Sequence, residues 1–193
     1  MVAMTALTAH FVARFASELS RFRGERRAIA AVEFALLLPV LVALYLGTVE
    51  LARGIAADRK VTLVTHTLAD LSTQFQNIAD SDMSNILNAS AAIMAPYASS
   101  SLQAVVSELT IDATGNATVV WSDTLNGTAR AVGQAVTIPA ALAVPSTYLI
   151  LSETSYNYNP VFGYVITGTL TFTDKIYMQP RDSVCVQRNG ATC

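Results

Sequence analysis

The chain has 193 residues and a mass of 20.5 kDa, room for one compact domain with an appendage and too little for a large multidomain enzyme. Hydrophobic residues make up 52% and charged residues 13%, with a mean hydropathy of +0.43. Soluble domains carry about 25% charged residues, so this chain is neither disordered nor composed like one of them. A net charge of −2 and a pI of 5.6 argue against a nucleic-acid partner gripped through its phosphates.

The charge is uneven along the chain. Residues 1–27 hold Arg14, Arg21, Arg23, Arg26 and Arg27 against Glu18 and Glu25, so a leader of +3 precedes a remainder of −5. Between them Phe34 to Val49 reads FALLLPVLVALYLGTV, sixteen uncharged residues, and Ala28 to Ala52 is interrupted only by Glu33 and Glu50. At helical rise the uncharged run spans about 24 Å and the longer stretch about 38 Å, which brackets the roughly 30 Å hydrocarbon layer. One transmembrane helix, 29–53, is the economical reading. Glu33 and Glu50 each lie about 13 Å from its centre, so both carboxylates are expected at headgroup depth. Pro39 is acceptable in a membrane helix and is expected to bend it. The arginine-rich leader places the N-terminus in the cytoplasm and the C-terminal bulk outside. A cleaved secretory signal is the rival, disfavoured by the long leader and by Glu50, Leu51 and Arg53, which stand where a small-residue cleavage site would be.

No signal ends the helix at the membrane face. Val61, Val64, Leu68, Leu71 and Phe75 recur at helical spacing and predict that the helix continues from Gly54 as an amphipathic one, the first part of an exported helical region 54–96. Asp80, Ser81 and Asp82 form a cap cluster for a second helix carrying Ile86, Leu87, Ala91 and Met94, which Pro96 stops. Beyond Ser101 the pattern alternates. Val105, Ser107, Leu109 and Ile111 oppose Val106, Glu108, Thr110 and Asp112, and Thr114-Gly115-Asn116 turns the chain toward Val119 and Trp121, a β-hairpin. Two further strands are expected over Tyr148 to Tyr158 and Tyr164 to Tyr177. In the second, Ile166, Leu170, Phe172 and Ile176 face one way while Thr167, Thr169, Thr171 and Thr173 face the other. Asp123 to Ser146, rich in Ala, Gly and Pro, yields no assignment. The fold class is therefore α+β: an N-terminal transmembrane helix continuing into an amphipathic helix, packed on a small antiparallel sheet over 97–193. The arrangement resembles a pilin.

The two cysteines, Cys185 and Cys193, enclose seven residues. An even pair in an exported segment favours a disulfide, which at this loop length contributes on the order of 2–3 kcal/mol. No metal site is expected, since His10 and His66 are remote from them, and no cofactor is implied. Glycine-rich phosphate loops, nucleophile elbows and paired zinc-ligand motifs are missing. His66 between Thr65 and Thr67 reads as a solvated helix residue. The tripeptides beginning at Asn88, Asn116 and Asn126 match the glycosylation sequon, as a chain rich in Ser and Thr does by chance.

The span opens with Ile29-Ala30-Ala31-Val32-Glu33-Phe34-Ala35-Leu36-Leu37-Leu38-Pro39-Val40-Leu41 and leaves through Gly47-Thr48-Val49-Glu50-Leu51-Ala52-Arg53. This resembles the TadE-like family, minor pilins or pseudopilins of the tight-adherence (Flp type IVb) pilus. Leu68-Ala69-Asp70-Leu71, Tyr156 to Pro160 and Tyr177-Met178-Gln179-Pro180-Arg181 are weaker echoes. The resemblance implies a precursor cut by a prepilin peptidase between Ala28 and Ile29, which makes Glu33 the fifth mature residue. Ala28 stands where the family usually has Gly, and Gly24 is four residues too early. After such a cut the Ile29 amine would lie about 6 Å along the axis from Glu33, whose carboxylate could equally pair with a neighbouring subunit's amine and set helix register. Phe34 is expected in processing or helix packing, and Glu33 and Pro39 in helix packing.

These readings converge on a non-enzymatic, single-pass inner-membrane protein of bacteria with a periplasmic C-terminal domain. It would serve a tight-adherence pilus as assembly protein or minor pseudopilin. Its expected partners are the membrane, other pilus subunits, the inner-membrane assembly platform and a prepilin peptidase, and no nucleic acid. The alternative is a membrane-anchored periplasmic binding module unrelated to pili.

Overall fold

The computed structural model describes residues 26–160 and 168–191. The chain divides into two compact units, Met1–Val49 and Glu50–Cys193. Helix α1, Arg26–Thr73, includes Pro39 and runs through the unit boundary, consistent with the absence of a stop signal after Val49 in the sequence.

In the second unit α1 buries Ala57, Val61, Val64, Leu68 and Ala69. The predicted stripe forms the core face, except that the helix ends before Phe75. Ser72 Oγ donates to the Leu68 carbonyl at 2.7 Å, Thr73 Oγ1 to that of Asp70 at 2.8 Å, and Gln74 N to that of Leu71 at 3.3 Å, so side chains and a tightened turn take up the last carbonyls. A short strand β1, Asn77–Ile78, follows, and then α2, Asp80–Ile93. The cap of α2 falls at Ala79, one residue before the predicted cluster. Asp82 Oδ2 accepts from Ala79 N at 3.2 Å, leaving Asp80 to engage Arg188 and Asn189.

A single 3-10 turn, Ser99–Ser101, leads into β2, Leu102–Ile111, and β3, Ala117–Leu125, forms the expected hairpin with it. Asp112 Oδ1 accepts the amides of Thr114 and Asn116 at 2.8 and 2.9 Å, and Gly115 takes φ +86°, so the turn chemistry read from the sequence is the turn that forms. The two-residue strand β4, Ala135–Val136, and a 3-10 turn at Ala140–Leu142 lie in the stretch the sequence left unassigned. Strands β5, Tyr148–Tyr158, and β6, Leu170–Met178, complete an antiparallel sheet in the order β4-β3-β2-β5-β6. The expected start of the last long strand, 164–167, with Ile166 and Thr167, lies outside the described residues. Strand β7, Gln187–Arg188, pairs in parallel with β1.

The alternation predicted for β2 fails at its centre. Leu102, Ala104, Val106 and Glu108 lie in register with Tyr156, Thr154, Ser152 and Ile150, and the apolar members cluster with residues of α1 and α2. Leu109 and Ile111, on the opposite face, pack with Ala117, Val119, Leu149 and Leu151 beneath Val136, Ile138 and Leu142. The previously unassigned segment thus roofs one end of the outer face, and β2 is buried on both sides. Glu108, on the more polar of the two predicted faces, has no exposed surface.

Candidate functional site

The residues singled out for processing and packing share one element. The Ala28–Ile29 bond lies near the start of α1, Glu33 and Phe34 follow a turn later, and Pro39 lies beyond them. In this unit the helix is apolar around its whole circumference. Phe34 is 58% exposed, and Ile29, Val32, Leu36, Leu37, Val40, Leu41, Leu44 and Tyr45 are all more than half exposed. Its most apolar window has a mean hydropathy of 2.4 and is long enough to cross a membrane. A helix hydrophobic all round requires lipid or other apolar helices as its surroundings, because water would be in contact with every side. Glu33 is exposed on this surface and forms no ion pair among the described residues.

Glu50 is 1% exposed, its carboxylate covered by the protein, and Tyr158 is close enough to feel its charge.

Of the cysteine pair, Cys185 is disulfide-bonded, and Cys193 lies outside the described residues. The segment around Cys185 is tied down at several points. Val186 is fully buried. Its amide donates to Glu108 Oε1 at 2.6 Å, and its carbonyl accepts Trp121 Nε1 at 2.7 Å. Arg188 spans Asp123, through Nε at 2.8 Å and Nη2 at 3.1 Å, and Asp80 at 2.7 Å, while its Nη1 donates to the Ile78 carbonyl. Burial pushes the Glu108 carboxyl up to about 7, against the pull of the Val186 amide and the Trp121 indole.

Two sizeable hollows open on the second unit among the described residues. One, about 760 Å³, lies on the outer sheet face among Gln103, Thr173 and Lys175, beside the Arg130–Glu153 ion pair at 2.8 Å. The other, about 560 Å³, lies among Arg53, Tyr97, Tyr156 and Tyr158. Sequence reading found neither, because β5 alternation does not reveal which cross-strand neighbours leave a gap. His66 is exposed in a shallow cleft with Asp70, whose carboxylate pairs instead with Arg181 at 2.5 Å. Among the described residues no group of three or more His, Cys, Asp or Glu side chains is arranged to hold a metal ion.

Residues 28–70 match the model of a family described as TadE-like protein. That family is pilus-related and structural, with no enzymatic role known for it. No curated protein and no solved structure matches the chain. The matched region opens beside the predicted cut and closes near the end of α1, so it covers the apolar helix and the part of its continuation that packs in the second unit.

Proposed function

We propose that this chain, TadE-like over residues 28–70, is a single-pass inner-membrane protein that helps assemble a tight-adherence pilus, as a minor pseudopilin or membrane-bound assembly factor. The observation that carries the reading is the helix from Ile29 to Val49, apolar on every side and continuous with the helix that forms the core of a folded unit. Such a helix works by packing. Its apolar surface associates with equivalent helices of other pilus subunits or of the inner-membrane assembly platform, where close van der Waals contact drives association. Glu33 fixes register by pairing with an amine at the start of a processed helix, and the unit Glu50–Cys193 stands in the periplasm and presents a surface to further partners.

The deciding experiment is the N-terminus and intact mass of the protein extracted from membranes, with and without the prepilin peptidase. A peptidase-dependent start at Ile29 is expected. An unshortened chain in both samples overturns the processed-subunit mechanism and leaves a permanently anchored protein.

A further inference from the structure

The hollow beside Arg53 is built from aromatic walls and unspent donors. Tyr97 stands edge-on to Tyr156 and Tyr158, with ring centroids 6.4 and 6.2 Å apart and interplanar angles of 70° and 69°. Tyr97 Oη donates to the Arg53 carbonyl at 2.9 Å, which ties the wall to α1. Tyr158 is 3% exposed, and its hydroxyl has no hydrogen-bond partner among the described residues. A buried hydroxyl without a partner is costly, and here it belongs to a side chain lining a cavity of about 560 Å³, a volume within the range of small-molecule sites. Arg53 lines the same cavity and supplies positive charge. Glu50 is not among the lining residues and has almost no exposed surface.

Covalent position decides which ligand fits. Arg53 lies four residues, about 6 Å of helix, beyond Val49, the last residue of the uncharged run. If that run spans the bilayer, Arg53 and the tyrosines on it sit at headgroup depth, where Tyr and Arg are the side chains that anchor. We propose that this cavity binds the phosphate headgroup of an anionic phospholipid. The guanidinium takes the phosphate, the Tyr158 hydroxyl donates to one of its oxygens, and the aromatic rings hold the glycerol. The site rests on the membrane-anchored reading above.

Native mass spectrometry of the full chain released from mixed phosphatidylcholine and phosphatidylglycerol nanodiscs tests it. One retained phosphatidylglycerol is expected on the wild type, falling about tenfold in Arg53→Gln and severalfold in Tyr158→Phe, which keeps the ring and its packing. Equal retention of the two lipids, unchanged retention in both variants, or a lipid-free dimer overturns the proposal. So does displacement of the lipid by free glycerol 3-phosphate at equal concentration, which would assign the cavity to a soluble phosphate. Carbonate extraction of membranes separates the two levels. A chain that resists extraction but retains no phosphatidylglycerol overturns the headgroup site alone, whereas a chain that washes off overturns the anchor as well.

Discussion

A carboxyl group with one oxygen hydrogen-bonded and the other sealed from water favours its proton. Glu108 is such a group: Oε1 accepts the Val186 amide, Oε2 has no partner among the described residues, and burial raises its pKa from 4.5 to about 7. Between those values the folded chain holds a proton that the unfolded chain has lost. Stability from this group is therefore fully present below pH 4.5 and is lost as pH rises to about 7, a change of order 3 kcal/mol at most. Urea midpoints should be lower at pH 8 than at pH 5. In Glu108→Gln, which keeps an acceptor for Val186, the difference should shrink, and an unchanged pH dependence would show that another group controls it. Ala28 offers a second test at this scale. Ala28→Gly places before the proposed cut the residue that the resemblance implies there, and should raise the shortened fraction seen by intact mass when the peptidase is present. No increase would mean that this position does not limit processing.

At the scale of elements, the C-terminal segment depends on Arg188 more than on its own two-residue strand. The Arg188 side chain is 15% exposed and joins Asp80 at the start of α2 to Asp123 on β3. Removing it leaves the Asp123 carboxylate, 25% exposed, without its counter-charge and the Ile78 carbonyl without a donor, a loss of about 2 kcal/mol, while Asp80, 80% exposed, is screened by solvent. Arg188→Ala should lower the melting temperature and open 179–191 to limited proteolysis. Arg188→Lys should recover only part, because an ammonium cannot make the bidentate contact with Asp123. Equal protection of all three chains would show that the segment is held by other contacts. These ties also mark the boundary of what the sequence discloses. α1 and β5 were legible because Val61, Val64 and Leu68, or the alternation from Tyr148 to Tyr158, repeat one period against one partner. The pairing of β7 with β1 was not, since Gln187 and Arg188 carry no period and their partners lie more than a hundred residues earlier. The burial of Glu108 was not legible because alternation assumes one dry face, and the roof over Leu109 and Ile111 comes from the Ala- and Pro-rich stretch that has no period of its own. At the candidate site, the apolar run around Glu33 and Phe34 declared itself. The burial of Glu50 did not, because it depends on which domain residues fold over one helix turn.

For the whole molecule, one helix belongs to two units with different surroundings, so function and stability should separate along it. Glu33 is exposed in the first unit and Leu68 is fully buried in the second. Truncating Leu68 to alanine removes core volume next to Ile78, Met83 and Ile150, and such changes cost about 2–5 kcal/mol. Leu68→Ala should therefore lower the unfolding midpoint of the detergent-solubilised chain markedly. Glu33→Gln should leave that midpoint unchanged, because the residue forms no ion pair among the described residues and lies outside the core. The order should reverse for pili. At equal membrane abundance, checked by quantitative immunoblot, Glu33→Gln should reduce surface fibres while Leu68→Ala supports them in proportion to the folded protein that remains. If Glu33→Gln instead leaves fibres intact, the carboxylate does not set helix register. The apolar helix is then only an anchor, and the working surface must be sought on the unit Glu50–Cys193.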